Sequence, residues 1–386
     1  MTRADLIMMT EQHHYSAYKD AAAVTSLAPG RVNLIGEHTD YNNGHVLPVA
    51  IDFYTCVTGH ASEDLTVKVT ALDFQGAKDE FSLDRLEISI VEQGDWSTYV
   101  RGIFAVLKTE GYPVQGCRLT VSGNIPKGSG LSSSASMTVA VLNLVNSLFD
   151  LNLSPKRIAI LCQRVENDYV GCACGIMDQL SSACGIAGKA LLIDCENLSL
   201  TPASLPHDCT LVIVNSNLPR KLVESAYNER RTTCQEAASL LQAKSLREIS
   251  YAHFLEEQNI LPLLHQKRAR HVITENDRTL SMKHAMEQSD YAKIAHLMRQ
   301  SHVSMRDDFD ITTPEIDDLV NIIDTYLDDR GGVRMTGGGF GGCVIALVPT
   351  SLTKGLRSQV EKNYNKRTGL TESIYICKAG SGMEIL

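Results

Sequence analysis

Residues Gly30 to Leu47 read GRVNLIGEHTDYNNGHVL. Arg31, Asn33, Glu37, His38, Asp40, Tyr41, Asn42 and Asn43 follow one another closely, with Val32, Leu34, Ile35, Val46 and Leu47 set among them. An ordinary loop is polar throughout and an ordinary strand alternates; this segment does neither. It reads as polar groups held in a fixed array by an apolar anchor, as a site for a hydroxyl-rich ligand requires. A buried donor or acceptor left unpaired costs about 1–3 kcal/mol, so such an array calls for a ligand that pairs with it. A turn-rich surface loop is the other reading of this segment alone.

The chain has 386 residues, 44% apolar and 21% charged. That length suggests two domains at roughly 100–200 residues each. The composition is that of a protein with a full core. The net charge is −9, with Lys and Arg scattered rather than clustered, which argues against a nucleic-acid partner. The 11 cysteines are dispersed and form no CxxC pair, a pattern of reduced cytosolic thiols rather than disulfides or a zinc site. The N-terminus has no long apolar h-region, and no apolar run approaches the ~18 residues of a membrane span. A cytoplasmic protein without a membrane partner is expected. His13 and His14 read as solvated neighbours rather than metal ligands.

Strand-like and helix-like segments alternate, giving an α+β class with mixed sheets. Leu65–Leu72 and Cys117–Ser122 read as strands. A helix ends near Leu148, with Met137, Val141, Leu144 and Leu148 on one apolar face. Ser154 and Pro155 open the next helix, whose stripe is Ile158, Leu161, Cys162, Val165 and Tyr169. Ala190–Ile193 and Leu211–Val214 read as buried strands. Between them Asp194–Asp208, with Pro202 and Pro206, is the expected domain boundary, which divides the chain into 1–200 and 201–386. Long helices are expected over Val223–Leu241 and Arg268–Gln300, another from Pro314, and a last one over Ser351–Arg367. Gly331–Pro349 is a glycine-rich segment leading into a core strand, and Ser373–Cys377 is a final strand.

Four constellations can carry chemistry. In Pro126–Ser136 (PKGSGLSSSAS), Gly128 and Gly130 permit a tight turn, and three serines follow at a helix start. Unpaired amides and the positive end of the helix dipole make such a place a phosphate site. This is not a Walker A loop, because Lys127 precedes the glycines. A Ser-capped helix after a glycine turn would look the same. Glu166, at the edge of its helix's apolar stripe, can hold Mg²⁺ opposite a serine oxygen, or be a surface carboxylate. Asp178, set among small residues in GCACGIMDQ, can accept a proton or orient a hydroxyl, or simply cap a helix. Seven glycines in Gly331–Gly342 adjoin a buried strand, which implies backbone packed against another backbone or a ligand. Together these are the parts for phosphoryl transfer from a nucleotide to a small alcohol.

The motifs also resemble those of a known family. GRVNLIGEHTDY is similar to the galactokinase signature, and PKGSGLSSSAS and VRMTGGGFGGC resemble the second and third motifs of the GHMP small-molecule kinases. They span about residues 28 to 343 in the family's order. Thr98–Gly102, CGIMDQ and SMRDDF also fit a galactokinase; residues before Ala28 and Leu241–His265 carry no such motif. The resemblance implies the two-domain GHMP fold, with the active site between domains, and phosphorylation of α-D-galactose at C1 by ATP. It implies that Glu37, His38, Thr39, Asp40, Gly175, Asp178 and Tyr227 line the sugar pocket, with Asp178 as proton acceptor. Arg31 would stabilise the transferring phosphoryl group. Gly128, Ser129, Gly130, Leu131, Ser132, Ser133 and Ser134 would wrap the ATP phosphates, with Trp96 near adenine. Ser134 and Glu166 would hold Mg²⁺. An arginine beside Asp178 would weaken it as a base, so alignment of the hydroxyl is expected to matter as much as proton removal. An N-acetylgalactosamine kinase and a catalytically silent galactose sensor are the rival readings. The intact serine run, Asp178 and Arg31 weigh against the sensor.

Overall fold

The computed structural model describes residues 1–86, 95–126, 128–218 and 223–386. Lys127 lies outside them. The strands are β1 (Val24–Asn33), β2 (His45–Val46), β3 (Pro48–Ala61), β4 (Thr66–Ala71), β5 (Ala77–Ser82), β6 (Cys117–Gly123), β7 (Lys189–Asp194), β8 (Ser199–Ser204), β9 (Cys209–Asn215), β10 (Gly332–Thr336), β11 (Cys343–Pro349), β12 (Ser373–Cys377) and β13 (Glu384–Ile385). They form sheets of order β13-β1-β3-β6-β4-β5, β10-β11-β9-β12 and β2-β7-β8. The pairings are antiparallel except for β4 with β6, so the α+β class with mixed sheets holds.

The helices are α1 (Arg3–Tyr18), α2 (Trp96–Thr109), α3 (Ser133–Leu148), α4 (Pro155–Val165), α5 (Met177–Cys184), α6 (Val223–Leu240), α7 (Tyr251–Glu257), α8 (Leu263–Glu287), α9 (Tyr291–Asp307), α10 (Pro314–Leu327) and α11 (Thr353–Thr368). Helices α2 to α5 share one core with the first sheet, while α1 packs on that sheet through Leu6, against Leu27, Tyr54 and Cys56, and through His14, beside Thr120 of β6. Helices α6 to α8 and α10 to α11 build a second core with β9, β10 and β11.

Between these lies a third core, which explains the first motif. Val32, Leu34, Ile35 and Leu47 are fully buried there against Leu211, Ile213, Met282 and Ile345. Burying each such side chain contributes about 1.5–3 kcal/mol, so the polar residues between them sit on a fixed frame. The chain's end returns to its beginning. Strand β13 pairs with β1 at Ser26 and Leu27, the Leu386 N–H donates to Thr25 O, and Glu384 bridges Arg3 at 2.7 Å.

Two expectations change. The single helix over Arg268–Gln300 is two, α8 and α9, broken where Ser289 adopts φ 54° and Asp290 caps α9 by accepting from Lys293 N. Residues 194–208 contain β8, which forms a hairpin with β7. Pro202 is tolerated because β8 is an edge strand. Helix α3 is buried nearly all round, and Met137 is only half-buried because it faces a cavity. Ser154 and Pro155 open α4 as expected, and Pro314 opens α10, where Thr313 proves to be the cap, accepting from Ile316 N.

Candidate active site

Strand β1 delivers Arg31 from the first sheet and α5 delivers Asp178 in its first turn. Arg31 Nε and Nη2 donate to Asp178 Oδ1 and Oδ2, each at 2.8 Å, and Nη1 donates to Gly130 O at 2.8 Å. Ser132 Oγ–H donates to Asp178 Oδ2 at 2.6 Å. Ser132 stands at the head of α3 with φ 60°, a conformation that turns its hydroxyl toward α5 rather than over its own helix. The Arg31 side chain is 7% exposed and that of Asp178 28%, so the pair is sheltered but one face of the carboxylate stays open.

That face opens on a cavity of ≈ 200 Å³ whose lining includes Glu37, His38, Asp40, Glu166, Gly175 and Tyr227. It lies below the roughly 300–1,000 Å³ of drug-sized sites, which suits a small polar ligand. Asp40 reaches it only because residue 175 is glycine: a Cβ there would lie 1.9 Å from Asp40 Oδ2. Burial, with Asp178 and Glu37 adding repulsion, pushes the Asp40 carboxyl up to about 6. Burial first, then His271, depresses His38 to about 3, so its ring is neutral, with Nδ1 2.7 Å from Tyr41 Oη. Tyr227, on α6, packs its ring 5.1 Å from that of His38.

Glu37 ties the first motif to the third. Its Oε1 accepts from Gly337 N at 2.8 Å and faces Arg334 Nη2 at 3.2 Å, and its Oε2 accepts from Asn33 Nδ2 at 3.1 Å. Arg334 is fully buried on β10, and its Nη1 also donates to Asn33 O. Removing one partner of such a pair leaves an uncompensated buried charge. Arg334→Met is therefore expected to lower stability by about 3–5 kcal/mol, read from urea unfolding. A loss below about 1 kcal/mol would remove the pair from the frame of the site. Behind it, Glu275 accepts from Gly36 N and Ser301 Oγ. Burial opposes its ionisation, but Arg278, His271 and Arg334 hold its carboxyl down to about 2.

A second cavity of ≈ 350 Å³ adjoins the first. Its lining includes Phe74, Trp96, Tyr99, Met137, Gly128, Ser133 and Ser134. Phe74 and Trp96 stack with centroids 6.0 Å apart at 27°, a flat apolar slot fit for an aromatic base. Ser134 lines both cavities. Glu166 lies beside it in a π-helical turn (Glu166–Val170) that continues α4. Burial, reinforced by Asp178, pushes Glu166 up to about 7, and interactions with Gln179, Cys174 and Ser134 offset only part of this. Its Oε1 is buried without a hydrogen-bond partner.

Several residues named from the sequence face elsewhere. Thr39 is buried, and its hydroxyl lies within hydrogen-bonding range of Gly36 O and His45 O, bracing the loop. Ser129 Oγ–H donates to Pro126 O, and Leu131 belongs to the third core. Gly130 meets the site through its carbonyl on Arg31. Gly337 and Gly338 line the smaller cavity, so the third motif does pack against ligand space. It also packs against backbone, since Gly339 has φ 87° and a Cβ there would stand 2.7 Å from Ile311 O. Cys172 and Cys174 line the smaller cavity and Phe74 the larger; none was singled out from sequence as a site residue.

Residues 12–60 match the galactokinase galactose-binding signature, 98–186 the GHMP kinases N terminal domain, and 282–366 the GHMP kinases C terminal domain. The structure is similar to that of Lactococcus lactis galactokinase complexed with galactose, at 36% identity over 98% of this chain and 99% of that one, with TM-score 0.92. Methanococcus jannaschii mevalonate kinase (20% identity, 92% and 98% covered, TM-score 0.64) shares the fold. So does Streptococcus pneumoniae phosphomevalonate kinase (15%, 92% and 99%, TM-score 0.60). With its three motifs in order and that near-complete match, the chain belongs to the galactokinase family of GHMP kinases.

Proposed function

We propose that the chain transfers the terminal phosphoryl group of ATP to the C1 hydroxyl of α-D-galactose, giving galactose 1-phosphate and ADP. One observation carries this reading: Ser134 stands where an aromatic slot and a polar pocket meet, with the Arg31–Asp178 pair in the polar pocket. Galactose would occupy the smaller cavity, against Glu37, His38, Asp40, Gly175 and Tyr227. Adenine would lie in the larger one by Trp96, with the phosphates over Gly128, Ser133 and Ser134. Asp178 would align the C1 hydroxyl and take its proton. Arg31 would place positive charge where the phosphoryl group passes, in a loose transition state that depends on position and charge more than on early deprotonation. Residues from both proposed halves, 1–200 and 201–386, would close this site, with Tyr227, Gly337 and Gly338 supplied by the second. The dispersed spacing of the 11 cysteines, without a CxxC pair, supports a cytoplasmic setting, and among the described residues no helix is long and apolar enough to cross a membrane.

The residues at 134 and 166 suit Mg²⁺. A hard cation takes carboxylate and hydroxyl oxygens, and the partnerless buried Oε1 of Glu166 is an acceptor in want of one. Bound there, Mg²⁺ would neutralise phosphate charge. With Glu166 raised to about 7, a proton competes for the same carboxylate. Below about 7 the group is neutral and above it anionic. The Mg²⁺ concentration for half-maximal rate is therefore expected to rise up to about tenfold per pH unit on descending from about pH 7 to about pH 6. Mg²⁺ titrations across that range check it, and a flat requirement would remove Glu166 from the metal site.

An ADP-release assay with galactose, N-acetylgalactosamine and mevalonate in parallel tests the whole reading. Turnover with galactose is expected. Turnover only with N-acetylgalactosamine, or tight galactose binding without ADP release, would replace it with one of the rivals.

A further inference from the structure

Beside the proposed Mg²⁺ carboxylate stands a donor set of different chemical character. Glu166 leaves α4 in a π-helical turn, and the chain then doubles back so that Cys172 N donates to Glu166 O at 3.1 Å and Cys174 N to Cys172 O at 2.7 Å. This tight return brings a carboxylate oxygen of Glu166, Cys172 Sγ and Cys174 Sγ within 4.8 Å of one another. Cys174 Sγ lies 3.7 Å from Glu166 Oε2 and 3.5 Å from Asn167 Oδ1. All three residues line the smaller cavity, so an ion entering from solvent reaches them.

Tetrahedral zinc, with bonds of about 2.3 Å to sulfur and about 2.0–2.2 Å to oxygen, sets its donors roughly 3.5–3.8 Å apart. The three donors need draw together by only about 1 Å, and the open cavity leaves a fourth position for water. Two thiolates select zinc or cadmium and reject Mg²⁺, which keeps oxygen ligands. A soft metal drawing Glu166 Oε2 toward the sulfurs competes with Mg²⁺ for the same carboxylate, whose Oε1 is the partnerless oxygen.

We propose that Glu166, Cys172 and Cys174 form a latent soft-metal site that takes Zn²⁺ or Cd²⁺ and, by withdrawing Glu166 from the phosphate side, switches phosphoryl transfer off. Binding releases the two thiol protons, and below about pH 7 that of Glu166 as well, to solvent, leaving a carboxylate and two thiolates on the metal. The switching half rests on the galactokinase reading; the binding half does not.

The test uses the full chain in a phosphine reductant. Zn²⁺ alone is titrated against a chromophoric chelator, and Co²⁺ alone is followed by its thiolate-to-cobalt absorption. One equivalent per chain is expected, absent from the Cys172→Ser/Cys174→Ser double variant. Even partners outside the first shell of a metal ligand carry 10–100-fold in affinity, so loss of two ligands is expected to weaken that equivalent by at least about 100-fold. The inhibitory Zn²⁺ concentration in the ADP-release assay, each variant scored against its own uninhibited rate, should rise by a similar factor. Cys172→Ser alone, at a half-buried position, carries the test if the double variant misfolds. Unchanged stoichiometry and an unchanged cobalt spectrum in the variants would overturn the site. Loss of binding with undiminished Zn²⁺ inhibition would overturn the switch. Should galactose not be the substrate, the metal-alone titrations still decide whether the site exists.

Discussion

Arg31→Ala is expected to lower kcat by about 10³–10⁵ while the protein stays folded, in line with what a transition-state arginine contributes to phosphoryl transfer. The guanidinium holds both oxygens of Asp178 and the Gly130 carbonyl, so its removal also frees the carboxylate and the phosphate loop to drift. Stability suffers little, because Asp178 keeps access to water and the Ser132 hydroxyl. Arg31→Lys should rescue poorly, since an ammonium cannot span both oxygens of a carboxylate. Steady-state kinetics with galactose and ATP, together with a thermal melt, give the answer. A change confined to KM would mean that Arg31 binds ground and transition states alike, and its catalytic role would fall.

Asp178→Asn should bring turnover down by about 10²–10⁴ or more, the range of a lost general base, with the fold retained. The amide keeps the size of the carboxylate but turns a donor toward Arg31 or toward Ser132, both of which donate to this residue. Proton acceptance and alignment are thus lost together. Near-normal kcat in this variant would refute the assignment outright. A kcat loss without change in galactose affinity would fit a residue that acts mainly as the reaction proceeds.

What the sequence revealed was contiguous. The first motif announced itself because polar groups and apolar anchors are interspersed in one short stretch, and the third core shows what holds them. Ser154 with Pro155, and Pro314, declared their helices through short-range chemistry. Arg31 and Asp178 could be paired only through the family resemblance, since they stand on different elements far apart in sequence. The buried bridge of Glu37 to Arg334 had no local sign, for an arginine in an apolar strand looks solvent-facing until its partner is known. Within motifs, side-chain direction was invisible. Thr39, Ser129 and Leu131 share their neighbours' composition but turn inward, and Phe74 reaches the larger cavity from a segment without any motif. The break before α9 lacked glycine or proline, and only the Asp290 cap marked it.

The pairing of β13 with β1 has a consequence for biosynthesis. While the chain is being made, Thr25 to Leu27 wait with unpaired amides and carbonyls along that margin until residues 384–386 have left the ribosome. A nascent chain that has not yet exposed residues 384–386 keeps this margin open as a template for other chains, so the emergence of β13 is itself what closes this side of the N-terminal sheet against aggregation.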